Sequence, residues 1–190
     1  MREMRSLLAP FVVVMAAAVV VLAAADRVPA WLAGATHGAR VYRTLAEAEA
    51  ALGARLLVPA FYPDTLAWPP SRIEVAPGPP PVAAIRVARR AGAIEALVIC
   101  QSIGRPAPPP PWLLPPLPAL RAADVPLRRH AGRLTRRLTP GGRVVHDLTW
   151  TGAGRQFTLR YEGAVDDLLR MARALDGDAR DDALVPRPRW

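Results

Sequence analysis

The chain has 190 residues, of which 52% are hydrophobic and 22% are charged, and its formal net charge is +9. This length corresponds to about one folded domain, and the balance of apolar and charged residues excludes a wholly disordered chain. All 25 basic residues are arginine, and the sequence contains neither lysine nor asparagine. An anionic partner would explain the arginine excess, but so would a GC-rich genome, and the composition leaves both explanations open.

The first 25 residues predict a transmembrane anchor or a signal peptide. Arg2 and Arg5 precede an uncharged run from Leu7 to Ala25, long enough for a helix that spans the roughly 30 Å hydrocarbon core of a bilayer. The positive-inside rule then places the N-terminus in the cytoplasm and everything after Asp26 outside. The alanines before Asp26 also fit a signal-peptide cleavage site, so a secreted or periplasmic product is the alternative.

Three further regions follow the leader. Residues 26–43 are expected to form a juxtamembrane linker, residues 44–176 an extracytoplasmic domain, and residues 177–190 a C-terminal tail. The domain opens with the pattern TLAEAEAALGAR, in which Thr44 is a candidate N-cap, Glu47 completes a capping box and Gly53 helps to end the helix. The sequence LLVPAFYP (residues 56–63, here the LLVPAFYP segment) then predicts an extended stretch stiffened by two prolines.

Alternating apolar residues predict antiparallel strands. SRIEVAP, VAAIRVARR and IEALVICQSIG give three strands, the last two paired as a hairpin, and GRVVHDLTW and RQFTLRYE give a second hairpin around TGAG. Between the hairpins, DVPLRRHAGRLTRRL predicts two extended pieces separated near Gly132. VDDLLRMARALDG predicts a closing helix with Asp166 and Asp167 near its start and Gly177 at its end.

The proline-rich segment, Arg105 to Leu120, is expected to be an extended loop that crosses the domain surface. The order of the predicted elements favours an α+β fold. In this fold an N-terminal transmembrane helix precedes a curved antiparallel sheet with helices packed on one face.

No pattern in the sequence predicts catalysis, so we expect the chain not to be an enzyme. Cys100 lies in an apolar strand and is expected to be a buried, inert thiol, and a single cysteine forms no internal disulfide. His37, His130 and His146 do not have the spacing of a zinc site. The sequence therefore predicts no catalytic residue, no metal and no cofactor.

Two groups of residues form the candidate ligand or partner surface. The aromatic group would present rings from stiff proline-rich backbone, or would simply plug one end of the core. The basic group would meet anionic lipid or an acidic protein, or would only protect a strand edge from aggregation. Nucleic acid is excluded as a partner because the domain is predicted to be exported. The aromatic group consists of Phe61, Tyr62, Trp68 and Trp112, and the basic group consists of Arg128, Arg129, Arg133, Arg136 and Arg137.

The patterns AEAALG, LLVPAFYPDTL, LTWTGAGRQFTLRYEG and DDLLRMARALD together resemble a family of bacterial extracytoplasmic domains of unknown function. Those domains are similar to lipoprotein-carrier-like and sigma-E regulatory (RseB/MucB-type) proteins. The resemblance implies a non-catalytic binding or sensing domain for a protein or lipid-like ligand, tethered to the bacterial inner membrane by its first helix. The alternative is a structural accessory subunit of a larger membrane complex.

Overall fold

The computed structural model describes residues 38–92 and 94–178. Its fold is α+β, as predicted, and consists mostly of one eight-stranded antiparallel sheet with the order β1-β2-β3-β4-β8-β7-β6-β5. The elements are β1 (Arg40–Tyr42), α1 (Leu45–Leu52), β2 (Arg72–Ala76), β3 (Val82–Ala88), β4 (Glu95–Ser102), β5 (Ala119–Pro126), β6 (Ala131–Leu138), β7 (Val144–Gly152), β8 (Arg155–Tyr161) and α2 (Val165–Asp178).

Helix α1 has the caps that its sequence predicts. The Thr44 side-chain oxygen accepts a hydrogen bond from the Glu47 backbone N–H at 3.2 Å, and the Glu47 carboxylate accepts one from the Arg43 N–H at 3.0 Å. Gly53 ends the helix with φ of 61°, a left-handed conformation that favours glycine. These local bonds satisfy backbone groups at both ends of a helix that has only eight residues.

The two predicted hairpins, β3–β4 and β7–β8, are confirmed, and they meet in the centre of the sheet. β8 pairs with β7 through the turn at Ala153 and Gly154, both of which have positive φ, and pairs with β4 on its other side. The last strand of the described residues therefore joins the β1–β4 half to the β5–β7 half. Among residues 38–92 and 94–178, this non-local pairing leaves β1 and β5 as the two edges of the sheet.

Both helices pack on the same face of the sheet, here called the helix face. Ile85, Ile99, Leu159 and Leu148 occupy neighbouring positions on this face across four adjacent strands, and all are fully buried. Side chains from both helices belong to the same core cluster: Ala48 from α1, and Leu168, Met171, Ala172 and Leu175 from α2.

The opposite face, here called the loop face, is covered by the proline-rich segment. Leu113 and Leu114 are 1% and 8% exposed and pack in a second cluster with Ala84, Val98 and Cys100. The segment is irregular and crosses the sheet, as expected, but it also contributes core residues that the sequence analysis placed on the surface. Burying two leucines against an apolar patch of sheet gives this covering a hydrophobic driving force.

Arginine side chains on the loop face of the sheet bind the proline-rich segment that covers this face. Arg86 on β3 contacts Glu74 at 2.6 Å and Glu95 at 2.9 Å, and its second terminal nitrogen donates a hydrogen bond to the Leu113 carbonyl at 2.7 Å. The guanidinium therefore bridges two carboxylates of the sheet and the backbone of the segment. Arginine carries only hydrogen-bond donors, so it suits a backbone carbonyl, which only accepts.

Two further arginines repeat this arrangement around one buried carboxylate. Asp147 lies 2.7 Å from Arg160 and 2.6 Å from Arg137. Arg160 also donates to the Pro115 carbonyl at 2.7 Å, and Arg137 donates to the Leu117 carbonyl. Together with Arg86, these side chains bind three alternate carbonyls of the segment, at residues 113, 115 and 117. Charge-assisted hydrogen bonds of this kind are among the strongest in proteins.

The LLVPAFYP segment is extended but forms no strand. A side chain makes the backbone hydrogen bonds that a neighbouring strand would otherwise make. The fully buried Gln101 accepts from the Leu57 N–H at 3.0 Å and donates to the Leu57 carbonyl at 2.9 Å. Arg155 also donates to the Gln101 oxygen at 3.2 Å. One amide group thereby satisfies both backbone groups of a buried residue, which fixes the segment over the helix face.

The two extended pieces predicted in DVPLRRHAGRLTRRL are present as β5 and β6, but the turn between them falls at residues 127–130 and Gly132 lies inside β6. A Cβ atom at position 132 would lie 2.9 Å from a methyl group of Leu148. The glycine therefore permits close packing between neighbouring strands, and its presence in the sequence does not mark a turn.

Three element boundaries also differ from those predicted. β1 lies inside the predicted linker, β5 begins at Ala119 inside the proline-rich segment, and α2 continues through Gly177 to Asp178. A Cβ at position 177 would lie 3.2 Å from the Arg128 side chain, so this glycine accommodates a neighbour. Neither helix in the described part has the length and apolarity needed to cross a membrane. The anchor predicted from Leu7 to Ala25 lies outside the described residues.

Replacing Leu113 by alanine tests whether the proline-rich segment belongs to the core. We expect Leu113→Ala to lower the free energy of unfolding by about 2–5 kcal/mol, since it opens a cavity in the second cluster. Leu120→Ala, at a position 54% exposed, is the matched control and is expected to change it by less than about 0.5 kcal/mol. Urea unfolding measures both values, and equal stabilities of the two variants would contradict the burial.

Replacing Gln101 by leucine keeps the side-chain size but leaves the Leu57 N–H and carbonyl without partners. We expect the free energy of unfolding to fall by about 1–3 kcal/mol, the cost of buried unsatisfied groups. Gln156→Leu, at a half-buried position on the loop face, serves as the control and should have a smaller effect. A Gln101→Leu variant as stable as the wild type in urea would show that this amide does not fix the segment.

Candidate binding site

The two helices do not cover the whole helix face of the sheet. α1 contacts β1 and β2, and α2 contacts β7 and β8. Strands β5 and β6 lie beyond α2, and seven of the eight β5 residues are exposed. Within the described part of the chain the helix face is therefore open at this end of the sheet, where a cavity of about 410 Å³ lies among β5, β6, β7 and the first residue of α2.

Three basic side chains cross the floor of this cavity in a row. Arg121 on β5 is directly opposite Arg136 on β6, which is directly opposite His146 on β7. Apolar residues complete the cavity, which we call the basic cup: Ala122, Ala123, Leu134, Val144 and Val165. Like charges directly opposite each other on neighbouring strands are destabilising, so a bound anion would relieve a cost built into the sheet.

The basic cup has little internal compensation for its charge. Within residues 38–92 and 94–178, no carboxylate forms an ion pair with Arg121 or Arg136. The Nδ1 atom of His146 is buried and makes no well-formed hydrogen bond to a described residue. Burial and the nearby Arg136 guanidinium hold the pKa of His146 below its usual value, and the Gly163 backbone and Asp147 only partly oppose this shift. The cup is therefore suited to an anionic group.

The predicted aromatic residues do not form one surface. Tyr62 packs against Trp68 with ring centroids 4.8 Å apart, while the Phe61 ring lies under the Arg170 guanidinium at 3.9 Å. Burial raises the pKa of Tyr62, and its hydroxyl has no hydrogen-bond partner among the described residues. Trp68 is 45% exposed. Trp112 is elsewhere, against the second cluster on the loop face.

The predicted basic run is also divided by the fold. Arg128 and Arg129 lie in the turn between β5 and β6, where the Arg129 N–H donates to Asp176 at 2.8 Å. Strand alternation directs Arg133 and Arg137 to the loop face, where they pair with Asp124 and Asp147. Of the five arginines, Arg136 alone lines the basic cup. The two other basic members of the cup, Arg121 and His146, were not predicted, because only the register of three strands brings them together.

The contact between His130 and Asp176 was also not predicted from the sequence, since the two residues lie 46 positions apart. His130 Nδ1 is 2.5 Å from the Asp176 carboxylate, which is 1% exposed. The Arg129 N–H binds the other oxygen of the same carboxylate. These bonds attach the β5–β6 turn to α2, and so they position the strands that carry the basic cup.

Groups with other chemistry are few in the described part of the chain. It contains no cluster of three or more histidine, cysteine or carboxylate side chains arranged to hold a metal. Cys100 is buried, as predicted, and burial raises the pKa of its thiol to about 12, which keeps it protonated. No protein-family model, no curated protein and no solved structure matches the chain. The family resemblance therefore stays a prediction.

His146 predicts a specific pH dependence of stability. Because its pKa is lower in the folded chain than the unfolded value near 6.5, it contributes stability that is present above about pH 6.5 and is lost as the pH falls through the folded pKa. We expect His146→Gln to lose less stability than the wild type between about pH 7 and pH 5. Urea unfolding at both pH values measures this, and parallel losses in the two proteins would contradict it.

Proposed function

We propose that the chain is a membrane-tethered extracytoplasmic domain that binds a protein or lipid-like ligand without catalysis, and that the ligand occupies the basic cup. The tether is the run from Leu7 to Ala25, with the N-terminus in the cytoplasm of a bacterial cell and the domain in the periplasm or outside. Cleavage after Ala25 would instead release the domain. The row of Arg121, Arg136 and His146 at the open end of the helix face supports this proposal most directly, since neither arginine pairs with a carboxylate of the described residues.

The size and the lining of the basic cup fit a ligand-binding pocket. Its cavity of about 410 Å³ is within the size range of ligand pockets, and it combines basic groups on the floor with apolar walls. Arginine suits this role because its planar guanidinium donates two parallel hydrogen bonds to a carboxylate or phosphate. Both an acidic protein segment and an anionic lipid carry such groups, so the charge pattern accommodates either ligand.

Native mass spectrometry of the chain extracted from membranes in mild detergent tests the proposal. We expect a non-covalently bound lipid or protein, and we expect Arg136→Gln to reduce its occupancy because the variant removes a central charge of the cup. Arg90→Gln is the matched control: it removes an exposed arginine at the β3–β4 turn and should leave occupancy unchanged. The intact mass also reports whether the leader is retained.

A chain that carries neither lipid nor protein, or equal losses in both variants, would contradict binding through the cup. A fixed set of several proteins, retained in both variants, would favour the alternative of an accessory subunit. A reporter fused after Trp190 tests the location separately. Activity of the reporter only inside the cell would contradict export.

A further inference from the structure

The two edges of the sheet are protected very differently. β1 has three residues, whereas β5 has eight, of which seven are exposed. The open side of an edge strand presents unpaired N–H and C=O groups, so a long edge is a template for another strand. The single proline of β5, Pro126, is its last residue and blocks pairing only at the end. β5 is therefore the edge at which another strand can be added.

The row of basic side chains ends at this edge. On the helix face, Arg121 is the outermost of the three, and the next position in the row belongs to whatever pairs with β5. A carboxylate at that position would form an opposite-charge cross-strand pair with Arg121 and would lie beside Arg136. The following positions on the same face would be opposite Ala123 and Val125, which favour apolar side chains.

The loop face adds a restriction on the same added strand. Asp124 is exposed there and already pairs with Arg133 at 3.0 Å. A second carboxylate opposite Asp124 would be repelled, so the acidic residue of the added strand is favoured on the helix face only. The edge thus specifies both the register of the added strand and the face that carries its charge.

We propose that the ligand of the basic cup is an extended segment of a partner protein, which adds to β5 as a ninth strand and places a carboxylate against Arg121 and Arg136. This inference rests on the proposed function and narrows its ligand to a protein segment with one acidic and two apolar side chains on the helix face. Backbone hydrogen bonds to β5 supply affinity, and the carboxylate supplies register.

A designed peptide tests the inference on the full chain in phosphatidylcholine nanodiscs. The acetylated and amidated heptapeptide TVTVTET places glutamate opposite position 121 in antiparallel pairing. We expect saturable shifts of the His146 ring resonance and slower amide exchange in β5. The neutral peptide TVTVTQT should bind about fivefold more weakly at low salt, because it lacks the charge pair. A backbone N-methylated TVTVTET should not bind, because it cannot form the strand ladder.

Three variants test whether Arg121 and Arg136 contact the glutamate of the peptide. Arg121→Gln and Arg136→Gln should each reduce the difference between TVTVTET and TVTVTQT, whereas the control Arg90→Gln should preserve it. Equal affinity of the acidic and neutral peptides, full binding by the N-methylated peptide, or unchanged amide exchange in β5 would each overturn the inference.

Anionic lipid separates the failure of this inference from failure of the proposed function. Phosphatidylglycerol in the nanodisc could shift the His146 ring resonance while no peptide binds. In that case the inference of a protein segment is wrong, and the proposal that the basic cup binds a lipid-like ligand is supported. If neither peptide nor phosphatidylglycerol perturbs the cup, and the membrane-extracted chain carries no ligand, both proposals are wrong.

Discussion

Three arginines, Arg86, Arg160 and Arg137, connect the carboxylates of the sheet to alternate carbonyls of the proline-rich segment. Each guanidinium has enough hydrogen-bond donors to bind both partners at once. The carboxylates Glu74 and Asp147 are nearly buried, and they are tolerable there because these arginines pair with them. The contacts hold a segment that has no strand ladder of its own, and they position Leu113 and Leu114 over the second cluster.

This covering determines which surfaces remain for binding. The proline-rich segment occupies the loop face, while α1, the LLVPAFYP segment and α2 cover most of the helix face. The basic cup lies where both coverings end, next to the long β5 edge. The tie between His130 and Asp176 fixes the β5–β6 turn against α2, so the cup is held by contacts outside it. The proposed ligand surface is thus the part of the sheet that the described residues leave uncovered.

The features predicted from the sequence are local ones. The caps of α1 at Thr44 and Gly53 and the TGAG hairpin depend on residues a few positions apart, so short patterns determine them. The position of β8 between β4 and β7, the bond from Gln101 to Leu57 and the row that unites Arg121 with His146 depend on pairings distant in sequence. Strand alternation also separated Arg136 from its neighbours in the basic run, which a linear pattern cannot express.

Amide hydrogen exchange at Leu113 and Leu114 tests the central claim most directly. Both N–H groups donate to the Pro110 carbonyl, at 2.9 and 3.1 Å, beneath a segment held by the arginines. If the segment is part of the fold, these amides should exchange about as slowly as those of β4, through global unfolding. Exchange at the rate of an unstructured peptide, while the β4 amides remain protected, would show that the proline-rich segment does not cover the sheet.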